Sequence, residues 1–453
     1  METPWRNHMA RFVTGLAWPA APDDARHQVK RCLLDFLGVA LGAGDLGLVP
    51  AVRGILGSLG GTPQAGVIGE KLGLPVTQAT LLNGVKGHAL DMDDGHRRAA
   101  SHPAVVVFPA LLAAAEMEDR AGERLLEAAL AGYEVLIHLG LLMNPAHLNQ
   151  GFHSTAALGA FGAAAAVAKV LGLDQARTAE ALALAGLAGG GLLEVLASGQ
   201  MAKPWQTARA SQAGLWAALL ARQGGQGPEL ILEGPRGFVR AYGQPAPDPG
   251  VLAGLGRKFE ITKVYFKVHA ACRHVHCALD AALDLVHGQD LDPGEITGIT
   301  VGTYRVAHEL TGANRRAATP LAAKFSLPVA LALCLLQGRT GQGLFAAADL
   351  DDPAVHALAD LVRVEVDPAK EAAYPGQRGA WVRVETGRGV FSCDYALPRG
   401  EPETPLTDQE LAGKFAENAE PVLGPAGVAK VTDLVWNLER STARQLMAAL
   451  RTN

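Results

Sequence analysis

Cysteine is scarce in this chain. Only Cys32, Cys272, Cys277, Cys334 and Cys393 occur in 453 residues, an odd number at irregular spacing. That argues against a disulfide scaffold and for a reducing, cytoplasmic setting. Excess charge of either sign is also lacking. Forty Lys and Arg stand against 45 Asp and Glu, and no basic run tracks a phosphate backbone, so no nucleic-acid partner is expected. An acidic ligand therefore needs a local cationic pocket. Uninterrupted apolar runs are missing too: Lys169 breaks the stretch 156–171 and Glu194 the stretch 181–196, so no membrane span is expected. The start, from Met1 to Trp5, has no basic segment leading into an apolar one, and a secretory signal is not expected. Aromatics are only 5%.

What is present is 49% hydrophobic residues, with 53 Gly and abundant Ala. A chain of this length and apolar content buries a large core and exceeds one ordinary domain. Apolar residues recur at helical spacing over 26–41, 109–118, 125–142, 155–171, 178–188 and 210–223. Several of these segments are apolar on nearly every face. Such helices lie inside a large core or at an oligomer interface, and a homodimer through this region is expected.

Around residues 242–250 a Pro/Gly-rich breaker intervenes. Beyond it, 296–306 and 361–366 alternate like strands. Segments 381–385 and 390–395 flank a Gly-rich turn and read as a hairpin, with helices at 275–286 and 321–336. A second breaker spans 397–405, and Thr407 with Glu410 forms a capping-box pattern for a return to helix. The expected fold class is mainly α with a smaller α+β domain. The helical domain covers 1–250 and 401–453, and the α+β domain covers 251–400.

Four motifs carry polar chemistry. His88, Asp91, Asp93, Asp94, His96, Arg97, Arg98 and His102 crowd one segment between apolar helices. Acids at a helix C-terminus are unfavourable unless cations answer them. Arg97, Arg98 or a neighbouring lysine would do so. A metal site is one reading of these oxygen and nitrogen donors; a capped helix end with a solvated basic loop is the other. His153 precedes Ser154 and Thr155, either of which is a candidate N-cap. Lys203 stands between helices in an apolar neighbourhood, where a bound carboxylate would offset its desolvation. Lys267, His269, Cys272, His274 and His276 form the densest His/Cys segment. Cys272 and His276 read as one helix face, but no second pair follows at zinc-finger spacing.

Taken in order, these motifs resemble the MmgE/PrpD family across nearly the whole chain. The signatures are Asn83-Gly84 through His88, Asp91, Asp93, Asp94, His102 and Pro103; Gly151 through His153 to Thr155; Lys203-Pro204; Gly227-Pro228; Lys267 through Cys272 and His276 to Asp280; and Ala323 to Leu327. The resemblance implies a helical domain completed by the C-terminal segment, an α+β lid, a homodimer, and an active site between helical domain and lid. It also implies no metal and no organic cofactor. Carried over residue by residue, the catalytic set is Asp91, His102, Lys203 and Lys267. Asp94, Arg97, His153, His269, Cys272 and His276 are assigned to substrate binding.

The implied chemistry is proton transfer next to a carboxylate of a small di- or tricarboxylate. Cations stabilise the enediolate-like form, and a placed histidine moves the proton. A dehydratase is the leading expectation, followed by an epimerase, a decarboxylase of a cis-aconitate-like acid, and a non-catalytic carboxylate-binding protein. Three departures bear on the substrate. Gly95 stands where many members carry Thr or Ser, so a hydroxyl is missing. Val329 stands where decarboxylase-type members place Tyr. His269-Ala270 replaces an aromatic-Pro pair. The length of the loop from Asp91 to His102 is closer to the epimerase-type members.

Overall fold

A computed structural model describes residues 3–71, 73–196, 201–243, 247–345 and 347–452. Part of the first expected breaker, residues 244–246, lies outside the described residues. The chain is mainly helical and divides into two compact units. One comprises Met1–Tyr265 with Thr407–Asn453, the other Phe266–Leu406.

The first unit is built on the expected helices. They run Asp23–Gly42, Ala104–Met117, Gly122–Met143, Ser154–Leu171, Gln175–Ala188 and Lys203–Arg222, each near the segment its apolar period marked. A further helix, Val76–Ala89, precedes the first polar motif. Gly122–Met143 and Ser154–Leu171 are long and apolar enough to cross a membrane, yet 94% and 100% of their apolar windows are buried inside this unit. Lys169, which interrupts the second, is itself buried and pairs with Glu127 at 3.0 Å. The all-round apolar faces are therefore matched within one chain, by close helix packing. A Cβ at Gly132 would stand 2.7 Å from the carbonyl oxygen of Gly162, so only a glycine admits that approach.

The residues just past the first breaker stay with this unit. Leu252 and Leu255 enter the core with Val13 and Met143. Glu134 accepts the Ile261 backbone N–H at 2.8 Å. The short strand Val264–Tyr265 pairs antiparallel with Gly95–His96. At the other end, Thr407 and Glu410 form the expected capping box on the helix Asp408–Trp436. That helix breaks at Gly424 (φ 66°), between Pro421 and Pro425.

The second unit carries a four-stranded sheet in the order Val362–Val366, Ile296–Thr303, Ala380–Thr386, Gly389–Tyr395. The first pair is parallel and the others antiparallel. The last two strands are the expected hairpin. Helices His276–Gln289 and Leu327–Gln337 share its core with Val382 and Val384. The helix expected over 321–336 is split at Ser326, whose Oγ accepts the Val329 N–H at 3.1 Å and caps the second half. Val329 is 2% exposed and belongs to this core. Glu401 stays with this unit because it pairs with Arg273 at 2.8 Å.

Candidate active site

The helix Val76–Ala89 ends in an unusual way. Past its C-cap Leu90, Asp91 adopts φ 54°, the left-handed conformation usually given to glycine. Asp is among the few residues that tolerate it, and strain of this kind persists where surrounding contacts hold it. The holding contact is Lys203, whose Nζ lies 2.8 Å from Asp91 Oδ1. Lys203 does not lie between helices; it is the first residue of the helix Lys203–Arg222, with Pro204 in its first turn. A carboxylate past a helix C-terminus and an ammonium at a helix N-terminus are each unfavourable toward their own dipole. Brought together they offset one another, and the cation that answers Asp91 comes from 112 residues away.

After Asp94 the chain makes a tight reversal. His96 and Ser101 bridge each other, Ala100 takes φ 48°, and the tip carries part-exposed Arg97 and exposed Arg98. The reversal returns His102 onto Asp93 and Asp94. His102 Nδ1 lies 2.6 Å from the Asp94 carbonyl oxygen and 3.1 Å from Asp93 Oδ2. Its backbone N–H donates to Thr155 Oγ at 3.1 Å. Both ring contacts are to acceptors, so Nδ1 carries the proton and the lone pair of the neutral ring sits on Nε2.

Asp93 is fully buried and reaches a second histidine, with Oδ1 2.8 Å from His88 Nδ1. Burial alone would raise the Asp93 carboxyl, but His88 and His102 pull it well below the ordinary range. His88 is pushed down to about 4, by burial first, against the pull of Asp93. It is therefore neutral at physiological pH. The two rings lie 5.4 Å apart, centroid to centroid.

His153, not Ser154 or Thr155, is the N-cap of Ser154–Leu171, and its side chain makes no capping bond. Burial, then Lys203, His88 and His102, hold it well below its ordinary value, so it too is neutral. Among the described residues, two buried nitrogens of this cluster, His88 Nε2 and His153 Nδ1, have no hydrogen-bond partner, and Asp93 Oδ2 has only its ionic contact with His102. Orphaned buried polar atoms are uncommon and costly, and they mark places where a ligand supplies the partner. His88, Asp91 and Asp93 each bring one donor atom within 4.8 Å of the others, a grouping that would suit a cation. The Lys203 ammonium already sits against that grouping, and a divalent ion would have to displace it.

Three expected substrate contacts belong to the scaffold instead. Asp94 is 0% exposed and both its oxygens are engaged, one by the Ala104 N–H at 3.0 Å and one by the Tyr133 hydroxyl at 2.8 Å. It answers the start of the helix Ala104–Met117. In the second unit, His269 is buried with its ring nitrogens on Thr340 and Asp280. His276 is buried with its nitrogens on Arg273 and the Ala271 carbonyl. Cys272 and His276 do not share a helix face, because the helix begins only at His276 and Cys272 precedes a short 3₁₀ turn. Cys272 and Lys267 are buried in that unit.

Gly95 has a local reason. A Cβ there would lie 2.4 Å from both Cζ and the hydroxyl of Tyr265, its partner across the two-stranded ribbon. The expected missing hydroxyl is replaced at that spot by a phenol, and the phenol needs the glycine. The sequence placed His88 and Asp93 in the crowded motif but gave neither a catalytic or substrate-binding role, and it gave Tyr265 none. That place was the only signal for the first two, and Tyr265 had no signal.

Comparison with known proteins matches the MmgE/PrpD N-terminal domain to residues 7–249 and the MmgE/PrpD C-terminal domain to residues 269–440. Among curated relatives, the cis-aconitate decarboxylase-like protein oryM of Aspergillus oryzae is 28% identical, over 98% of this chain and 96% of the relative. The cis-aconitate decarboxylase of Homo sapiens is 29% identical, over 95% and 91%. That of Aspergillus terreus is 27% identical, over 96% and 93%.

Proposed function

Because this chain belongs to the MmgE/PrpD family, we propose that it is a cofactor-independent lyase acting on a small polycarboxylate. The observation that carries the reading is the set of Asp91, Lys203, His102 and His153, in which the buried His153 Nδ1 has no hydrogen-bond partner among the described residues. A substrate carboxylate suits it. The carboxylate shares Lys203 with Asp91 and accepts a hydrogen bond from His153, while His102 Nε2 moves the proton at the adjacent carbon. Lys203 then stabilises negative charge as it develops on the carboxylate oxygens. Lys267 is proposed as the second cation.

The relatives' names favour decarboxylation of a cis-aconitate-like tricarboxylate. In that step the bond to one carboxylate carbon breaks and CO₂ leaves. Its electron pair passes into the conjugated carbon framework, and protonated His102 delivers a proton there. Loss of water is the second reading: Gly95 departs from the Thr or Ser of many members and Val329 from the Tyr of decarboxylase-type members, and both weaken the decarboxylation reading. There neutral His102 takes the proton from the carbon first, and the hydroxyl leaves as water with that proton, returned to it by protonated His102.

The two readings place opposite demands on one ring. Decarboxylation needs His102 protonated at the start, so kcat/KM falls as pH rises through its titration. Dehydration needs it neutral, so kcat/KM falls as pH drops. The deciding experiment incubates the protein with unsaturated and hydroxy di- and tricarboxylates and follows CO₂ release and proton NMR. Solvent deuterium exchange with neither CO₂ nor a new alkene would convert the reading to an epimerase, and no turnover of any member would remove it. A homodimer is also proposed, from the family resemblance, and a cytoplasmic setting, from the odd and irregularly spaced cysteines; a monomer mass by light scattering at micromolar concentration would refute the assembly.

A further inference from the structure

Asp93 serves two histidines at once, and only one of them has a part in the chemistry described so far. Its Oδ2 lies 3.1 Å from His102 Nδ1, and its Oδ1 lies 2.8 Å from His88 Nδ1. All three stand at one end of the helix Val76–Ala89, with Asp93 0% and His88 2% exposed. A carboxylate held on one side only rotates about its Cβ–Cγ bond. Held on both sides, it has one orientation. The ring that fixes the second oxygen is therefore part of what fixes His102.

We propose that His88 is a positioning residue for His102, acting through Asp93. Its Nδ1–H holds one carboxylate oxygen, so the other stays beside His102 Nδ1 and the lone pair of His102 is kept on Nε2. This rests on the reading that His102 moves the proton. The charges around the pair suit the arrangement. Besides Asp93, the titratable groups that face His102 or His88 are Asp91 and Asp94 on the same segment, His153 at the start of Ser154–Leu171, and Lys203 at the start of Lys203–Arg222. His88 and His153 are neutral and Lys203 is answered by Asp91. A proton gained at His102 then meets one anionic partner, Asp93, without a second imidazolium on the same carboxylate. The Nε2 of His88 has no hydrogen-bond partner. Its indispensable atom is thus Nδ1, which sets the test.

Two substitutions of similar polarity separate the atoms. In His88→Asn the amide nitrogen falls near the place of Nδ1, so the bond to Asp93 survives. In His88→Gln the amide lies farther out and that bond is lost. His88→Gln is expected to lower kcat by at least about tenfold with KM little changed, and to move the His102 limb of the kcat/KM profile. His88→Asn is expected to restore most of the loss and the wild-type limb. A second readout needs no turnover. In ¹⁵N-histidine NMR, His102 should appear as a single Nδ1–H tautomer in the wild type and in His88→Asn, and as a tautomer mixture in His88→Gln. Equal behaviour of the two variants in NMR overturns the proposal. So does a His88→Gln protein whose tautomer and pH profile match the wild type. Should the tautomers shift as expected while no polycarboxylate is turned over by the wild type, the coupling stands and the lyase reading falls.

Discussion

The two polar clusters of this chain use the same residue types and end in opposite states. In the second unit, the ring nitrogens of His269 and His276 all have protein partners, and Arg273 is closed by Glu401. In the first unit, His88 and His153 each keep a buried ring nitrogen without one among the described residues. A satisfied buried network specifies a core; an unsatisfied one waits for something. Density of histidine in a sequence therefore does not mark a site. What separates these two clusters is which ring nitrogens the protein leaves unpartnered, and folding alone reveals that.

The contrast is sharpest in kinetics. His102→Ala should lower kcat/KM by about 10²- to 10⁴-fold on the true substrate, since it removes the group proposed to move the proton. Lys203→Met keeps much of the side-chain volume and deletes the charge. It also leaves Asp91 buried without its cation, so the melting temperature should be read beside the rates. If the charge acts on the transition state, kcat falls; if it only holds the ground state, KM rises with kcat intact. Lys267→Met is to be read the same way. Should His102→Ala and Lys203→Met both leave kcat/KM unchanged, the first cluster is not the site and the comparison collapses.

Breaking the second cluster should read out in stability. Arg273→Met strands Glu401, a carboxylate 0% exposed, without its ion pair. Stranding a buried charge costs about 3–5 kcal/mol. The expected result is a large fall in melting temperature, checked by calorimetry. A melting temperature equal to the wild type would mean that this network is not the closed scaffold described.

A smaller effect is expected at Gly95. Threonine there drives its Cβ into the Tyr265 ring, and overpacking of this kind costs about 1–3 kcal/mol. Adding Tyr265→Ala should recover part of the loss, because it empties the space the threonine needs. Chemical denaturation of the two variants checks this. Additive losses in the double variant would show that the two residues do not share that space.

Much of the fold was legible because burial imposes a period. The buried helices declared themselves every three to four residues, the hairpin by its Gly-rich turn, and the helix Asp408–Trp436 by Thr407 and Glu410. The edges of the units were less so. Residues 251–265 look like the far side of a breaker, yet Leu252, Leu255 and the Val264–Tyr265 strand pack on the first unit. The site was legible by residue type and not by satisfaction. Asp91 and Lys203 were expected to be neighbours in function, and they meet at 2.8 Å. Asp94, His269 and His276 read as ligands because no spacing rule tells whether a buried group is already paired. Asp93 and His88 were assigned no role because their value lies in a shared contact.

The last prediction uses the buried carboxyls to weigh burial against pairing. Burial above all, then the Asp35 charge, pushes Asp94 from 3.8 up to about 8. Burial likewise pushes Glu134 from 4.5 up to about 8, against the two backbone N–H groups it accepts. A raised folded pKa means that the folded state keeps a proton the unfolded chain has released. Stability from these groups is present in full below the ordinary carboxyl range and is lost as pH rises, until about 8. Histidines work the other way. Burial lowers His88 from 6.5 to about 4 and His274 from 6.5 to about 3, so each costs stability as pH falls below 6.5. The opposing slopes offset one another in the acidic range. From 6.5 to 8 the unfolded chain's histidines lose the last of their protons, and among these groups the carboxyls set most of the slope. Stability should therefore decline across that window by on the order of 1 kcal/mol per group. Asp94→Asn mimics the neutral form, with its oxygen toward Ala104 and its amide toward Tyr133. It should flatten the decline of melting temperature with pH and leave the Glu134 share. If wild type and Asp94→Asn decline in parallel, Asp94 is ionised in the folded protein, and its two hydrogen bonds outweigh its burial.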